Sequence, residues 1–282
     1  MQGIEIKGIK KKYQDVTALD NVTFTFEPQK IYGLLGRNGA GKSTLLNIIM
    51  NRIFSNEGEI LVDGKLVGKD DSVLQQMFLM NETTLYPEGM RIGRAFALAK
   101  EFHKGFDSDY AQELAKLFAL NTKKKVKALS TGYLSIFKLI MALSYDVPYI
   151  FLDEPVLGLD ANHRELFYKV LLENYAKNPR TFVLSTHLIE EVSHIIEEVV
   201  IINEGKILCR ENSEDLLQRG YSVSGRASEV EAYCTDKEVI GSDSLGHLKI
   251  AYIMGTPVQE ELTGTLELSK LDLQKLFVQM TN

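Results

Sequence analysis

The sequence predicts an α/β fold: a mixed sheet flanked by helices, with an antiparallel β edge and a helical insertion, followed by a small α+β domain. Three observations carry this expectation. Short apolar runs at residues 149–152, 181–184 and 199–203 have the unbroken hydrophobicity of strands buried on both faces. Residues 91–144 show helical spacing and no strong strand pattern. Beyond about Arg210 the chain alternates short strand and helix patterns of a different kind.

Each element follows in order. Residues 3–7 and 22–26 alternate apolar with polar, as sheet-edge strands do, and residues 30–35 run apolar into a glycine-rich turn. Asp63-Gly64 divides the strand-like run 59–67 and is a two-residue hairpin signal. Ala95, Phe96, Leu98 and Ala99, then Leu114, Leu117 and Phe118, mark the helical subdomain at about residues 88–145. Asn162 with Glu165 supplies helix-start spacing between the strands at 149–152 and 181–184. Glu204-Gly205 then turns the strand at 199–203 back into 206–208.

The tail reads as strands at 221–224, 238–240, 248–253 and 265–268, with helices at 228–235, 258–262 and 271–280. A β-α-β-β-α-β order is that of a ferredoxin-like domain. The expected division is therefore a core over residues 1–210 and a small domain over 211–282.

Composition narrows the function. The 282-residue chain is 45% hydrophobic and 25% charged, ordinary for a globular protein. Its net charge of −6 disfavours nucleic acid as a main partner, because binding a phosphate backbone needs a basic face. Cys209 and Cys234 are the only cysteines, with no C-x-x-C spacing, so we expect reduced thiols and no zinc site. The N-terminal residues lack the apolar core of a signal peptide, and no stretch reaches the ~18 consecutive apolar residues of a membrane span. Four lysines within 123–127 read as a solvated loop.

The chemistry begins at Gly36, Arg37, Asn38, Gly39, Ala40, Gly41, Lys42, Ser43 and Thr44, between a strand and a helix. Glycines there let backbone N–H groups turn inward around phosphates, and the helix N-terminus adds favourable partial charge. Lys42 is placed to reach the β- and γ-phosphates, Ser43 to ligate Mg²⁺, and Thr44 to lie near the α-phosphate. Asp153 and Glu154 end an apolar strand. Adjacent acids there repel one another unless a cation compensates them, so Asp153 is expected to hold Mg²⁺ and Glu154 to polarise an attacking water.

Leu129-Ser130-Thr131-Gly132-Tyr133, the strand ending in Asp153-Glu154, and a turn ending at Asp160 follow one another in the order of signature, Walker B and D-loop. With the phosphate loop, this resembles the ATP-binding subunit of ABC transporters over about residues 1–208. The resemblance implies a P-loop NTPase core that binds and hydrolyses ATP with Mg²⁺. It also implies dimerisation with a second ABC ATPase subunit around ATP, and a separate membrane permease to drive. The chain is then expected in the cytoplasm, peripheral at the inner face of the cell membrane through that permease.

Residue by residue, the resemblance makes His187 the switch histidine near the γ-phosphate and Glu154, and Tyr13 the aromatic that stacks on adenine. Ser130 and Gly132 would face the γ-phosphate held by the opposite subunit, and Asp160 would belong to the D-loop. Asn81 stands where the family carries a catalytic-loop Gln near Mg²⁺ and water, one methylene shorter. Thr83 to Met90 is the expected permease-facing surface. The family signature is L-S-G-G-Q, so Thr131 and Tyr133 depart from it. The single cassette and the LSTGY signature resemble Gram-positive exporters of antimicrobial or amphipathic peptides. A soluble ABC ATPase with a regulatory or a ribosome- or DNA-linked role is the alternative.

Overall fold

The computed structural model describes residues 2–83, 86–257 and 265–282. Strands β1 (Ile4–Tyr13) and β2 (Val16–Phe26) form a hairpin, and β3 (Ile31–Leu35) leads into helix α1 (Lys42–Ile49). Strands β4 (Glu57–Val62) and β5 (Lys65–Leu66) precede α2 (Asp71–Leu74) and β6 (Met77–Met80). The helical insertion is α3 (Ile92–Phe102), α4 (Ser108–Leu117) and α5 (Thr131–Ser144). Strand β7 (Tyr149–Asp153), α6 (Ala161–Lys177), β8 (Thr181–Thr186), α7 (Ile189–Val192), β9 (Glu198–Asn203) and β10 (Lys206–Asn212) complete the core.

The central sheet runs β10-β9-β3-β8-β7-β6, parallel except for β10. Every residue of β3, β7 and β8 is buried, which is why these strands read as continuous apolar runs. Alternate residues face opposite ways. Ile31, Ile150, Leu152, Phe182 and Leu184 pack with the helical insertion, while Tyr32, Leu34, Phe151 and Val183 pack under the antiparallel sheet β2-β1-β4-β5. Asp63 at φ 48° and Gly64 at φ 80° make the left-handed pair that the Asp-Gly hairpin requires.

The C-terminal part adds α8 (Ser213–Arg219), β11 (Gly220–Arg226), α9 (Ala227–Tyr233), β12 (Glu238–Leu245), β13 (Leu248–Met254), β14 (Glu267–Lys270) and α10 (Leu273–Met280). Its antiparallel sheet has the order β12-β13-β11-β14. Val223, Ala251 and Ile253 pack with Val230 and Tyr233 of α9. Leu273, Leu276 and Phe277 of α10 instead share a core with Ile189 and Val192 of α7. A side chain at Gly220 would collide with Leu276, whose nearest atom lies 2.7 Å from the position of a Cβ.

Several bounds differ from the sequence reading. Strand β1 extends to Tyr13 and β2 starts at Val16, because Gln14 takes φ 52° and closes the hairpin tightly. Helix α6 starts with Asp160 as its N-cap, accepting from His163 N–H at 2.9 Å, so Asn162 lies inside the first turn. Strand β6 and helices α2 and α8 are additional elements. The helix expected at 258–262 lies outside the described residues, and β14 begins two residues later than expected.

Candidate functional site

The parallel strands end in register: Leu35 pairs with Thr186, Asp153 with Ser185, and Met80 with Leu152. The loops that follow β3, β6, β7 and β8 therefore open on one edge of the sheet. Strand β3 lies between β9 and β8, where helices leave toward opposite faces, and such crevices at strand carboxyl ends are where α/β sheets hold ligands.

Close approach dictates the phosphate loop. A Cβ on Gly36 would stand 2.6 Å from Ile202 O, and one on Gly41, at φ 111°, 2.6 Å from Ala18 O. Ala40 N–H donates to Arg37 O at 3.1 Å, which closes the turn. Lys42 is only 6% exposed, and its ammonium donates to Gly36 O at 2.6 Å. Burial lowers its pKa, against the opposing pull of Glu154 and Asp153. The loop thus folds around its own lysine. Ser43 is exposed at the first turn of α1, and Thr44 beside it is half-buried.

Asp153 is buried at the end of β7 and accepts from Ser185 Oγ at 2.7 Å. Glu154 follows with φ 48°, a conformation that costs a non-glycine residue about 1–3 kcal/mol. Its own N–H donates to Ser185 O at 2.8 Å and fixes that turn. Its carboxylate accepts from Thr186 Oγ1 at 3.2 Å, stands 2.9 Å from His187 Nδ1, and lies 4.0 Å from the Lys42 ammonium. Strain and hydrogen bonds together point Glu154 at Lys42. Lys42, Asp153, Glu154 and His187 are thus brought together, and Ser185 and Thr186 are the members that sequence reasoning missed.

The remaining candidates sit in networks of their own. Tyr13 is 46% exposed, with the Lys11 ammonium 5.0 Å from its ring centre. Asn81 Oδ1 accepts from Thr83 N–H at 3.2 Å, so its amide caps its own loop instead of reaching toward Asp153. Ser130 is the N-cap of α5, accepting from Tyr133 N–H at 3.4 Å. Gly132 is pressed against the loop that follows Glu154: a Cβ there would stand 2.7 Å from Gly158 O. Ser135 Oγ donates to Leu157 O at 2.8 Å across the same contact. Asp160 pairs with His163, whose backbone N–H and then imidazole hold its carboxyl below the usual range.

Among the described residues, no group of three or more His, Cys, Asp or Glu side chains is placed to hold a metal by itself. A cation between Asp153 and Ser43 would draw most of its ligands from phosphate and water, the mode in which Mg²⁺ is usually held. The buried Asp153 carboxylate, engaged on one oxygen by Ser185, fits that role.

Residues 19–157 match the ABC transporter family. The ABC transporter ATP-binding protein YtrB of Bacillus subtilis is 30% identical over 189 residues, covering 67% of this chain and 65% of that protein. NatA of the same organism, also an ABC transporter ATP-binding protein, is 28% identical and 92% covered. The ribose import ATP-binding protein RbsA 2 of Rhizobium etli is 27% identical, but the chain spans only 44% of its length. Among solved structures, an ATP-binding subunit of an ABC transporter superposes with a TM-score of 0.68 at 24% identity, over 76% of this chain and 91% of that one. A dimeric bacterial ABC transporter cassette gives 0.67 at 23% identity, over 74% and 98%. A glycine-rich loop around Lys42, an acidic strand end and a histidine paired with Glu154 on one sheet edge, within a chain of this likeness, give it the ATP-binding domain of the ABC transporter family.

Proposed function

We propose that the chain is the ATP-hydrolysing subunit of an ABC transporter, dimerising around ATP and driving a separate membrane permease. The observation that carries this is the Glu154 carboxylate, held by Thr186 and His187 and turned toward Lys42, beside the buried Asp153. Lys42 leaves Gly36 O for the phosphates when ATP binds, and backbone N–H groups of residues 39–44 cradle them. Glu154 orients and polarises the water that attacks in line, and His187 reads the γ-phosphate. Ser43 and Asp153 would hold Mg²⁺, which when bound would supply positive charge against the phosphate oxygens. Asn81 completes the loop beside that water, and Tyr13 offers its exposed ring to adenine.

Ser130 and Gly132 complete the site of the opposite subunit, with Asp160 of each copy at the seam. The segment 83–90, of which residues 84–85 lie outside the described residues, is the part we assign to the permease, with the protein in the cytoplasm at the inner face of the membrane. We read the four-stranded C-terminal sheet as a ferredoxin-like domain over 211–282, beside a cassette over 1–210. Export is our reading from the single cassette and the LSTGY signature. The relatives comprise import proteins as well, such as the ribose protein above and a xylose import ATP-binding protein of Thermoanaerobacter pseudethanolicus.

Tagged full chain drawn from its native membranes tests this reading. It is expected to bring down a polytopic membrane protein, and a second ABC ATPase copy in amounts that rise with ATP in Glu154→Gln. Salt-sensitive ribosome or DNA binding without a membrane partner would overturn it.

A further inference from the structure

Helix α5 carries Ser130 at its N-cap, and two turns further on it carries Lys138, which belongs to none of the motifs above. The Lys138 ammonium donates to Asn81 O at 3.0 Å and also to Glu82 O. Two donors of one side chain thus converge on consecutive carbonyls of the loop that leaves β6, the strand paired to β7 and its Asp153. A solvent-seeking lysine would instead lay its stem along the surface and free its head. Here the head is half-buried, and that burial lowers its pKa, opposed by the charge of Glu82.

Aromatic pairs flank the grip on either side. Phe78 of β6 stacks on Tyr145 at the end of α5, with centroids 4.4 Å apart. Tyr86 meets the edge of Phe137, the residue before Lys138, at 5.5 Å. These contacts fix the ends of the loop, whereas Lys138 grips the carbonyls of Asn81 and Glu82 directly. The other end of α5 is tied to the loop after Glu154 through Ser135 and Gly132.

We propose that Lys138 is a positioning residue that fastens the Asn81–Glu82 backbone to α5, so that this loop and the Ser130–Gly132 end of the helix shift as one body when nucleotide binds. Asn81 is a methylene shorter than Gln, and its amide is turned into its own loop. Its reach toward the site therefore depends on where the backbone is held, and Lys138 sets that. The proposal rests on the hydrolytic reading above for its kinetic effect, but not for its structural one.

Steady-state ATP turnover and amide hydrogen exchange of the full chain test it, comparing wild type with Lys138→Met, Lys138→Arg and Glu154→Gln. Lys138→Met keeps the stem and removes the donors. It is expected to lower kcat about tenfold while leaving KM for ATP within about twofold, and Lys138→Arg to recover to within about threefold of wild type. In wild type, Mg-ATP should protect the amides of 81–83 and 131–135 together; in Lys138→Met, the first set should gain protection without the second.

Unchanged kcat with joint protection in Lys138→Met overturns the proposal. So does a loss of kcat that Lys138→Arg fails to restore and that accompanies weaker protection without nucleotide, since this marks a folding role only. Turnover that is absent in wild type, or undiminished in Glu154→Gln, contradicts the hydrolytic reading instead. The exchange comparison then decides the role of Lys138 alone.

Discussion

At Asp153 and Glu154, neighbouring acids are kept apart by different partners. Ser185 engages the first, while Thr186, His187 and, at longer range, Lys42 face the second. A charge-assisted hydrogen bond is worth about 1.5–3 kcal/mol. Ser185→Ala should therefore leave the Asp153 carboxylate less firmly aimed and lower ATP turnover roughly tenfold, measured as kcat at saturating Mg-ATP. Sequence reasoning named Lys42, Asp153, Glu154 and His187 as candidates; Lys42 and His187 both face Glu154, and Asp153 precedes it on the same strand end. It could not name Ser185 or Thr186, because a hydroxyl inside a buried strand has no spacing signal. Only the pairing of Asp153 with Ser185 across β7 and β8 reveals it. Asn81 shows the opposite limit: its position in the chain is clear, whereas the direction of its amide depends on a turn with Thr83.

Cys209, 8% exposed on β10, illustrates burial at the same scale. Desolvation pushes its thiol from 9.0 up to about 11. Because the folded pKa is raised, the stability carried by the neutral thiol is complete below pH 9.0 and is lost as pH rises through about 11. Iodoacetamide at pH 8 should accordingly label Cys209 at least about tenfold more slowly in the folded chain than in the urea-unfolded chain, as read by mass spectrometry.

Elements were legible where periodicity and length agree. The strands feeding the phosphate loop and the acidic pair are unbroken apolar runs, and the helical insertion repeats its apolar face. Strand β6 escaped notice because its four residues are too short to show a period, and α8 because its start, capped by Asn212, abuts the end of β10. Another element-scale device is Arg180, 6% exposed, which closes the end of α5. Its guanidinium donates to Leu143 O at 3.1 Å, to Tyr145 O, and to Asn174 Oδ1. Buried carbonyls at a helix C-terminus need such donors. Arg180→Met should lower unfolding stability by about 3 kcal/mol in urea titrations, because it strands the carbonyl of Tyr145 and leaves that of Leu143 with only a long bond from Asn174.

Over the whole molecule, the C-terminal sheet is joined to the cassette through α10. Leu276 is fully buried beside Gly220, and Phe277 shares its core with Ile189 of α7, the helix that follows His187. Leu276→Ala should therefore destabilise the chain by about 2–5 kcal/mol and do so in one cooperative transition, not in a separate C-terminal step. Calorimetry that resolves an early C-terminal melt with an unshifted cassette would count against this packing. None of this docking is visible in sequence, because the residues of α10 carry only a helical period and no label of what they meet. Among the described residues no helix is long and apolar enough to cross a membrane.

The proposed hydrolysis turns on Glu154 as the group that activates water. Steady-state ATP hydrolysis by the full chain, purified together with the proposed membrane permease, measures this directly when wild type is set against Glu154→Gln. Turnover on the order of 1–10 s⁻¹ in wild type, falling at least about a hundredfold in the variant with ATP binding retained, is the predicted result. Equal turnover in the two proteins, or none in wild type, would contradict it.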